Sequence, residues 1–345
     1  MRWSRTVTLV EAHAEGEVGR IVTGGVIDVP GKTIADKLRH INEVDDSLRR
    51  FLVFEPRASV QMSTCLIFPP TRPDADIAFI ILQGDKAHAM SGSNSICLTT
   101  VLLETGMLPM VEPETIVRIE TASGLVTARA TCHNGKCERV TLTMNPSYAD
   151  QLDAVVDVEG YGKVKVDIAY GGIFYALIDP AQLGLEIRPD QAKKLVEAGS
   201  AIHRAVNAQL EIAHPEIEAI KGISYTMFNS FNEAGELKGA TIMPPGRIDR
   251  SPCGTGNSAR LAVAAARGLA KPGDRFTARS IIDSTFDVIY DSDTSVAGRP
   301  AVQPIISGRG WIHGTHQIGV DPSDPYQLGY SVSDTWGDAF DLMND

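Results

Sequence analysis

A short device occurs twice in this chain, once in each half, and it limits the folds open to it. Ser91-Gly92-Ser93-Asn94-Ser95 opens an apolar stretch that ends at Gly106, and Cys253-Gly254-Thr255-Gly256-Asn257-Ser258 opens another that ends at Gly268. Each copy places a nucleophile-type side chain first, then glycine and a hydroxyl residue, then Asn-Ser as N-cap material, then a run rich in Ala, Leu and Val. A helix that is apolar nearly all round belongs at the centre of a domain. The repetition therefore predicts two similar halves, each built around one buried helix.

The strand pattern agrees with that reading. Short apolar runs at 6–10, 20–23, 77–82, 115–119, 125–130 and 139–144 read as strands separated by turn signals, with few helical patterns among them. The second half repeats this, with strands at 164–169, 173–178, 223–228 and 239–243 and a long helix at 191–209. This is α/β of the mixed, α+β kind with many antiparallel pairs, not regular βαβ winding. We divide the chain into an N-terminal half, 1–150, carrying Ser91 and completed by 318–345, and a C-terminal half, 151–317, carrying Cys253.

Bulk properties exclude several classes. At 345 residues and 43% hydrophobic content the chain is long enough for two cores. A net charge of −11 without a Lys/Arg cluster opposes binding to nucleic acid or anionic lipid. The longest apolar runs, 77–82 and 261–266, are too short to span a bilayer, and 1–17 lacks the apolar centre of a signal peptide, so a soluble cytoplasmic protein is expected. Five cysteines, an odd number, argue against a disulfide framework. Cys132 and Cys137 in CHNGKC read as the two sides of a hairpin turn, and no second Cys/His pair at zinc spacing follows.

The repeated helix starts carry the chemistry. A helix N-terminus offers unpaired N–H groups and the positive end of the dipole, so two facing starts make a cage for a carboxylate without arginine. The same field favours a thiolate at Cys253 near neutral pH, although a lone cysteine before such a helix is more often a small buried hydrophobe. Gly254-Thr255-Gly256-Asn257-Ser258-Ala259 formally matches a dinucleotide fingerprint, but Asp249-Arg250-Ser251-Pro252 is not the buried strand that motif requires. A cysteine hydrolase would need His13, His88, His313 or His316 beside Cys253. His313 and His316 form an HxxH with no nearby carboxylate ligand, so no metal is expected.

Asp249-Arg250-Ser251-Pro252-Cys253-Gly254-Thr255-Gly256 resembles the second signature of the proline racemase family. Glu11-Ala12-His13, Gly16-Glu17, Glu55-Pro56-Arg57, Met90-Ser91-Gly92, Tyr170-Gly171-Gly172, Gly308-Arg309 and Asp324-Pro325 extend the resemblance over most of the chain. The resemblance implies curled mixed sheets around central helices, an active site in the cleft between the halves, and no cofactor. It implies an imino acid substrate flanked by a first-half and a second-half cysteine on opposite faces of the α-carbon, and it is compatible with a homodimer. Cys253 matches the second of these. By position, Gly92, Ser93, Gly254 and Thr255 offer N–H groups to the carboxylate, and Asp249 binds the ring nitrogen; without the family context, Asp249 reads as a helix-start charge or Asx turn.

One departure sets the expected activity. The family's first signature usually reads Met-Cys-Gly-His, whereas this chain has Met90-Ser91-Gly92-Ser93. A hydroxyl is a far weaker base than a thiol, and stereoinversion needs competent groups on both faces. Dehydration of trans-3-hydroxy-L-proline needs one face only, because the 3-hydroxyl and the α-hydrogen lie on the same side of the ring. Family dehydratases resemble this logic in replacing one cysteine by a hydroxyl residue, although there it is the second. The expectation is therefore a hydro-lyase forming Δ1-pyrroline-2-carboxylate, with Ser91 as acceptor on the L-face and Cys253 opposite; the alternative is a 4-hydroxyproline 2-epimerase using the same pair. His88, close to Ser91 in sequence, is left out of the site.

Overall fold

The computed structural model describes residues 3–26, 28–59, 61–231 and 237–332. It is a mixed α/β protein, and its two halves are wired alike. In the first, the hairpin Arg5–Ala14/Glu17–Gly24 turns through Glu15 and Gly16, both at positive φ (47° and 99°). Glu17–Gly24 lies parallel to Ser63–Phe68, which is antiparallel to Ile77–Leu82; the latter pairs with Ala87–His88 before the helix Gly92–Glu104. After that helix, Glu114–Thr121 returns parallel to Ile77–Leu82 and continues antiparallel through Gly124–His133 and Lys136–Thr143.

The second half repeats each step. Gly162–Tyr170 is antiparallel to Phe174–Ile178, which is parallel to Tyr225–Phe231, which is antiparallel to Leu237–Met243, which pairs with Arg247–Ile248 before the helix Gly254–Ala266. Arg275–Arg279 then returns parallel to Leu237–Met243, followed antiparallel by Thr285–Val296 and Arg299–Gly308.

Each half also lends the other a strand. Tyr148–Val158 leaves the first half to pair with Gly162–Tyr170, while Gly310–Val320 returns to pair with Arg5–Ala14 along its length. Of the segment 318–345 read as completing the first half, residues 333–345 lie outside the described residues. The exchange, with the pairing of Arg299–Gly308 on Lys136–Thr143, joins both halves into one hydrogen-bonded sheet system. The relative placement of the two core helices is thereby fixed by backbone ladders at several points.

The helix Gly92–Glu104 is buried at every residue but its last and Gly254–Ala266 is buried up to Val263, as their all-round apolar sequences require. They end where glycine takes over in the left-handed region, at Gly106 (φ 72°) and Gly268 (φ 69°). The long helix, Ala192–Gln209, follows a one-turn 3-10 segment, Pro189–Gln191. Two first-half helices have no counterpart in the sequence reading: Ile34–Glu43, opened by a Thr33/Asp36 capping box, and Ser47–Val53. CHNGKC is the hairpin turn expected, with Cys132 opposite Cys137, Asn134 and Gly135 at positive φ, and both thiols free. Among the described residues no helix is long and apolar enough to cross a membrane.

Candidate active site

The two core helices meet start to start. A Cβ placed on Gly92 would lie 2.9 Å from Gly254 Cα, and one on Gly254 would lie 2.9 Å from Gly92 Cα. Glycine at both positions is what permits this approach. The N–H groups of Gly92, Ser93, Gly254 and Thr255 find no acceptor among the described residues, since the first intrahelical bonds are made by Ser95 to Ser91 O and Asn257 to Cys253 O. Unpaired donors converge on one small cavity, lined by both helix starts and by Glu17, Gln83, Tyr175, Tyr225 and Asp249. That is a receptor for an anion in an otherwise acidic pocket.

Ser91 and Cys253 are the N-caps of these helices, so each projects into the cavity from its own half. Ser91 Oγ accepts from Asn94 Nδ2 at 2.9 Å and stands 3.4 Å from Ser93 Oγ. Cys253 sits at φ 69°, a region that costs a non-glycine residue about 1–2 kcal/mol. Its neighbours hold it there: Cys253 N donates to Ser251 Oγ at 3.1 Å, and Asn257 Nδ2 donates to Pro252 O and Cys253 O at 2.7 and 2.8 Å. Gly256 N–H and the Tyr175 hydroxyl each lie 3.3 Å from Cys253 Sγ.

The electrostatics correct one expectation. Burial, and secondarily the Asp249 carboxylate, push the Cys253 thiol up to about 12, against the smaller opposing pull of the Thr241 and Tyr175 hydroxyls and the Gly256 N–H. The donors at the helix start are present, but desolvation outweighs them, and Cys253 rests as a thiol in this closed pocket rather than as a thiolate. Asp249 is buried beside Glu17; burial first and the Glu17 charge second raise it to about 8, while Ser251 and Arg247 pull it down. Ser251 N and Oγ both donate to Asp249 Oδ1 at 2.8 Å, leaving its second oxygen without a hydrogen-bond partner among the described residues. Glu17 is clamped by Arg247 at 2.5 Å and by the Arg250 N–H at 2.9 Å. Glu17 is already paired with Arg247, so Asp249 is the carboxyl left to meet an additional cation: it rests protonated, and a secondary ammonium entering the pocket favours its ionisation, the proton passing to solvent.

All seven residues singled out from sequence, Ser91, Gly92, Ser93, Asp249, Cys253, Gly254 and Thr255, line this cavity. The histidine alternatives do not. His13 stacks on Trp311 with ring centroids 5.1 Å apart and neighbours His313, and His316 pairs with Glu11. His88 is buried at a strand end against Asp85 and Tyr225 and does not line the cavity. Among the described residues no group of three or more His, Cys, Asp or Glu is placed to hold a metal ion. Glu17, Gln83, Tyr175 and Tyr225 were missed. Glu17 lay in a quoted motif without a role; the tyrosines sit within apolar strands and read as core. Tyr175 bridges Cys253 and Thr255, and Tyr225 donates to Gln83 Oε1 at 2.7 Å.

Two like-wired halves sharing one donor-lined cavity at their seam define the kind of protein this is. The chain belongs to the proline racemase family, whose sequence profile matches residues 9–331. The 4-hydroxyproline 2-epimerase of Agrobacterium fabrum is 53% identical over 339 residues, 98% of each chain, and that of Rhizobium etli is equally similar over the same extent. A solved hydroxyproline epimerase from Agrobacterium vitis, with bound trans-4-hydroxy-L-proline, matches with a TM-score of 0.95 at 51% identity, covering 98% of this chain and 99% of that one.

These relatives overturn the expectation of a hydro-lyase acting on trans-3-hydroxy-L-proline: the full-length relatives are isomerases acting on the 4-hydroxy compound. That expectation rested on one position, the serine at 91 in place of the family's first thiol. Ser91 is not an isolated hydroxyl; it caps a helix start and receives two donors from Asn94, its backbone N–H at 3.4 Å and Nδ2 at 2.9 Å. Such donors stabilise charge on the oxygen and narrow the gap to a thiol.

Proposed function

We propose that this chain is a 4-hydroxyproline 2-epimerase, interconverting trans-4-hydroxy-L-proline and cis-4-hydroxy-D-proline by proton transfer at C2 between Ser91 and Cys253. The observation that carries the reading is the abutment of Gly92 on Gly254, which sets Ser91 and Cys253 at the two starts of one carboxylate cage. In this mechanism the substrate carboxylate rests on the N–H groups of Gly92, Ser93, Gly254 and Thr255, and Asp249 takes the ring ammonium. The C2–H bond breaks toward one N-cap, and its electron pair delocalises into the carboxylate, where the same N–H groups stabilise the growing charge. The opposite N-cap then delivers a proton to the other face. Donors placed where charge develops are the largest single contribution available to such a site. The resting thiol of Cys253 suits the delivering role when the L-substrate is bound, with Ser91 accepting as the alkoxide that remains once its hydroxyl proton has passed to solvent. Free cysteines throughout fit a reducing compartment such as the cytoplasm.

The test is incubation of the purified protein with trans-4-hydroxy-L-proline, resolving the two epimers by chiral chromatography. Accumulation of the cis-D epimer is expected. An inert substrate would sink the proposal.

A further inference from the structure

The two helix starts resemble each other but are not supported alike. In the second half, the position three residues after the N-cap is Gly256, whose N–H faces Cys253 Sγ. No side chain fits there: a Cβ would lie 2.7 Å from Met227 Sδ and 3.0 Å from Cys253 Sγ. In the first half the same position is Asn94, which is buried and donates to Ser91 Oγ from both its backbone N–H and its side-chain amide.

The amide's other end is also engaged. Cys65 Sγ donates to Asn94 Oδ1 at 3.3 Å, and Oδ1 packs on bare backbone, 2.7 Å from where a Cβ on Gly19 would stand. Cys65 is fully buried, and burial holds it as a thiol, hence as a donor. Turning the amide over would leave the thiol only its weak acceptor role toward the NH2 and would offer Ser91 an acceptor instead of a donor. Cys65 as a donor therefore favours the observed sense of the hydrogen bond at Ser91.

We infer that Asn94 is a positioning residue for Ser91: its amide, oriented by Cys65, holds Ser91 Oγ as a hydrogen-bond acceptor and stabilises the negative charge that oxygen carries on one side of the proton transfer. The inference rests on the role proposed for Ser91 above. A serine needs this support more than a cysteine would, because in the same surroundings an alcohol is a far weaker acid than a thiol. It gives Cys65, Asn94 and Gly19 a joint reason for their places: thiol, amide and absent side chain serve one oxygen.

The test is a double-mutant cycle. Asn94→Ala should lower kcat about 100-fold with little change in KM, the scale of removing one preorganised donor, and should cost under about 10-fold when combined with Ser91→Cys. Equal losses in both backgrounds, or a loss confined to KM, would overturn the inference. Cys65→Ala leaves Asn94 in place and should lower kcat by a smaller factor, with Cys65→Ser restoring it; failure of that rescue counts against the orienting role. A readout independent of turnover is the pH midpoint for alkylation of the thiol introduced by Ser91→Cys, which Asn94→Ala should raise by about one unit. An unchanged midpoint overturns the inference even if no hydroxyproline is turned over, whereas an inert wild-type enzyme with a shifted midpoint refutes the functional reading and keeps Asn94.

Discussion

Gly92→Ala tests the meeting of the helix starts without touching a charged or reacting group. The new methyl carbon would stand 2.9 Å from Gly254 Cα, where neither side has a flexible side chain to move aside. Carbon atoms in contact sit at about 3.5–4.0 Å, so the two helix starts must part by roughly 0.6–1 Å. Overpacking of this kind costs about 1–3 kcal/mol, offset by up to about 1 kcal/mol because alanine is the better helix residue. The net change in stability should be modest, about 0–2 kcal/mol by thermal or urea unfolding. Activity should suffer far more, since a displacement near 1 Å at a reacting geometry costs about 100-fold. Epimerisation kinetics on trans-4-hydroxy-L-proline give the readout, with Gly24→Ala, whose Cβ would meet only Thr8 at 3.9 Å, as the control. A Gly92→Ala enzyme of wild-type kcat/KM would refute the cage.

Three further outcomes follow. Asp249 is raised from 3.8 to about 8, so across that window the folded chain holds a proton that the unfolded chain releases, and stability falls as pH rises. Asp249→Asn removes that dependence and should stabilise the protein at pH 8 by on the order of 2–4 kcal/mol while abolishing epimerisation; a destabilised variant by urea titration would contradict the assignment. Pyrrole-2-carboxylate, a planar mimic of the C2 carbanion, should inhibit competitively and crystallise with its carboxylate on the N–H groups of Gly92, Ser93, Gly254 and Thr255; a carboxylate held by Arg250 instead would refute that site. Ser91→Ala and Cys253→Ala should each abolish inversion, checked by chiral chromatography, and full activity in either would remove that residue from the mechanism.

Much of the site was legible because it is built from local chemistry. Glycine, a hydroxyl residue and Asn-Ser before an apolar run announce a buried helix start wherever they occur, and their repetition announces a second. The strand exchange between halves was not legible, because the pairings of Tyr148–Val158 and Gly310–Val320 are set by contacts across the whole chain. The helix Ile34–Glu43 had its signals in Thr33, Asp36 and the spacing of Ile34, Leu38 and Ile41, which strand patterns on either side obscured. Cys253 was misjudged in its ionisation because a helix start can be read from sequence but the depth of its burial cannot. The surroundings of Ser91 were not legible either, as nothing in the spacing shows Cys65 donating to Asn94 or the Asn94 amide donating to Ser91.

The most direct test of the opposed pair is isotope incorporation during the first turnovers of trans-4-hydroxy-L-proline in D2O. Transfer between two groups predicts one deuterium at C2 of the cis-4-hydroxy-D-proline formed, while unreacted L-substrate stays protiated. Deuterium appearing in the recovered L-substrate as fast as in the product, or product that keeps the original proton, would mean that one group serves both faces, and would contradict the roles given to Ser91 and Cys253.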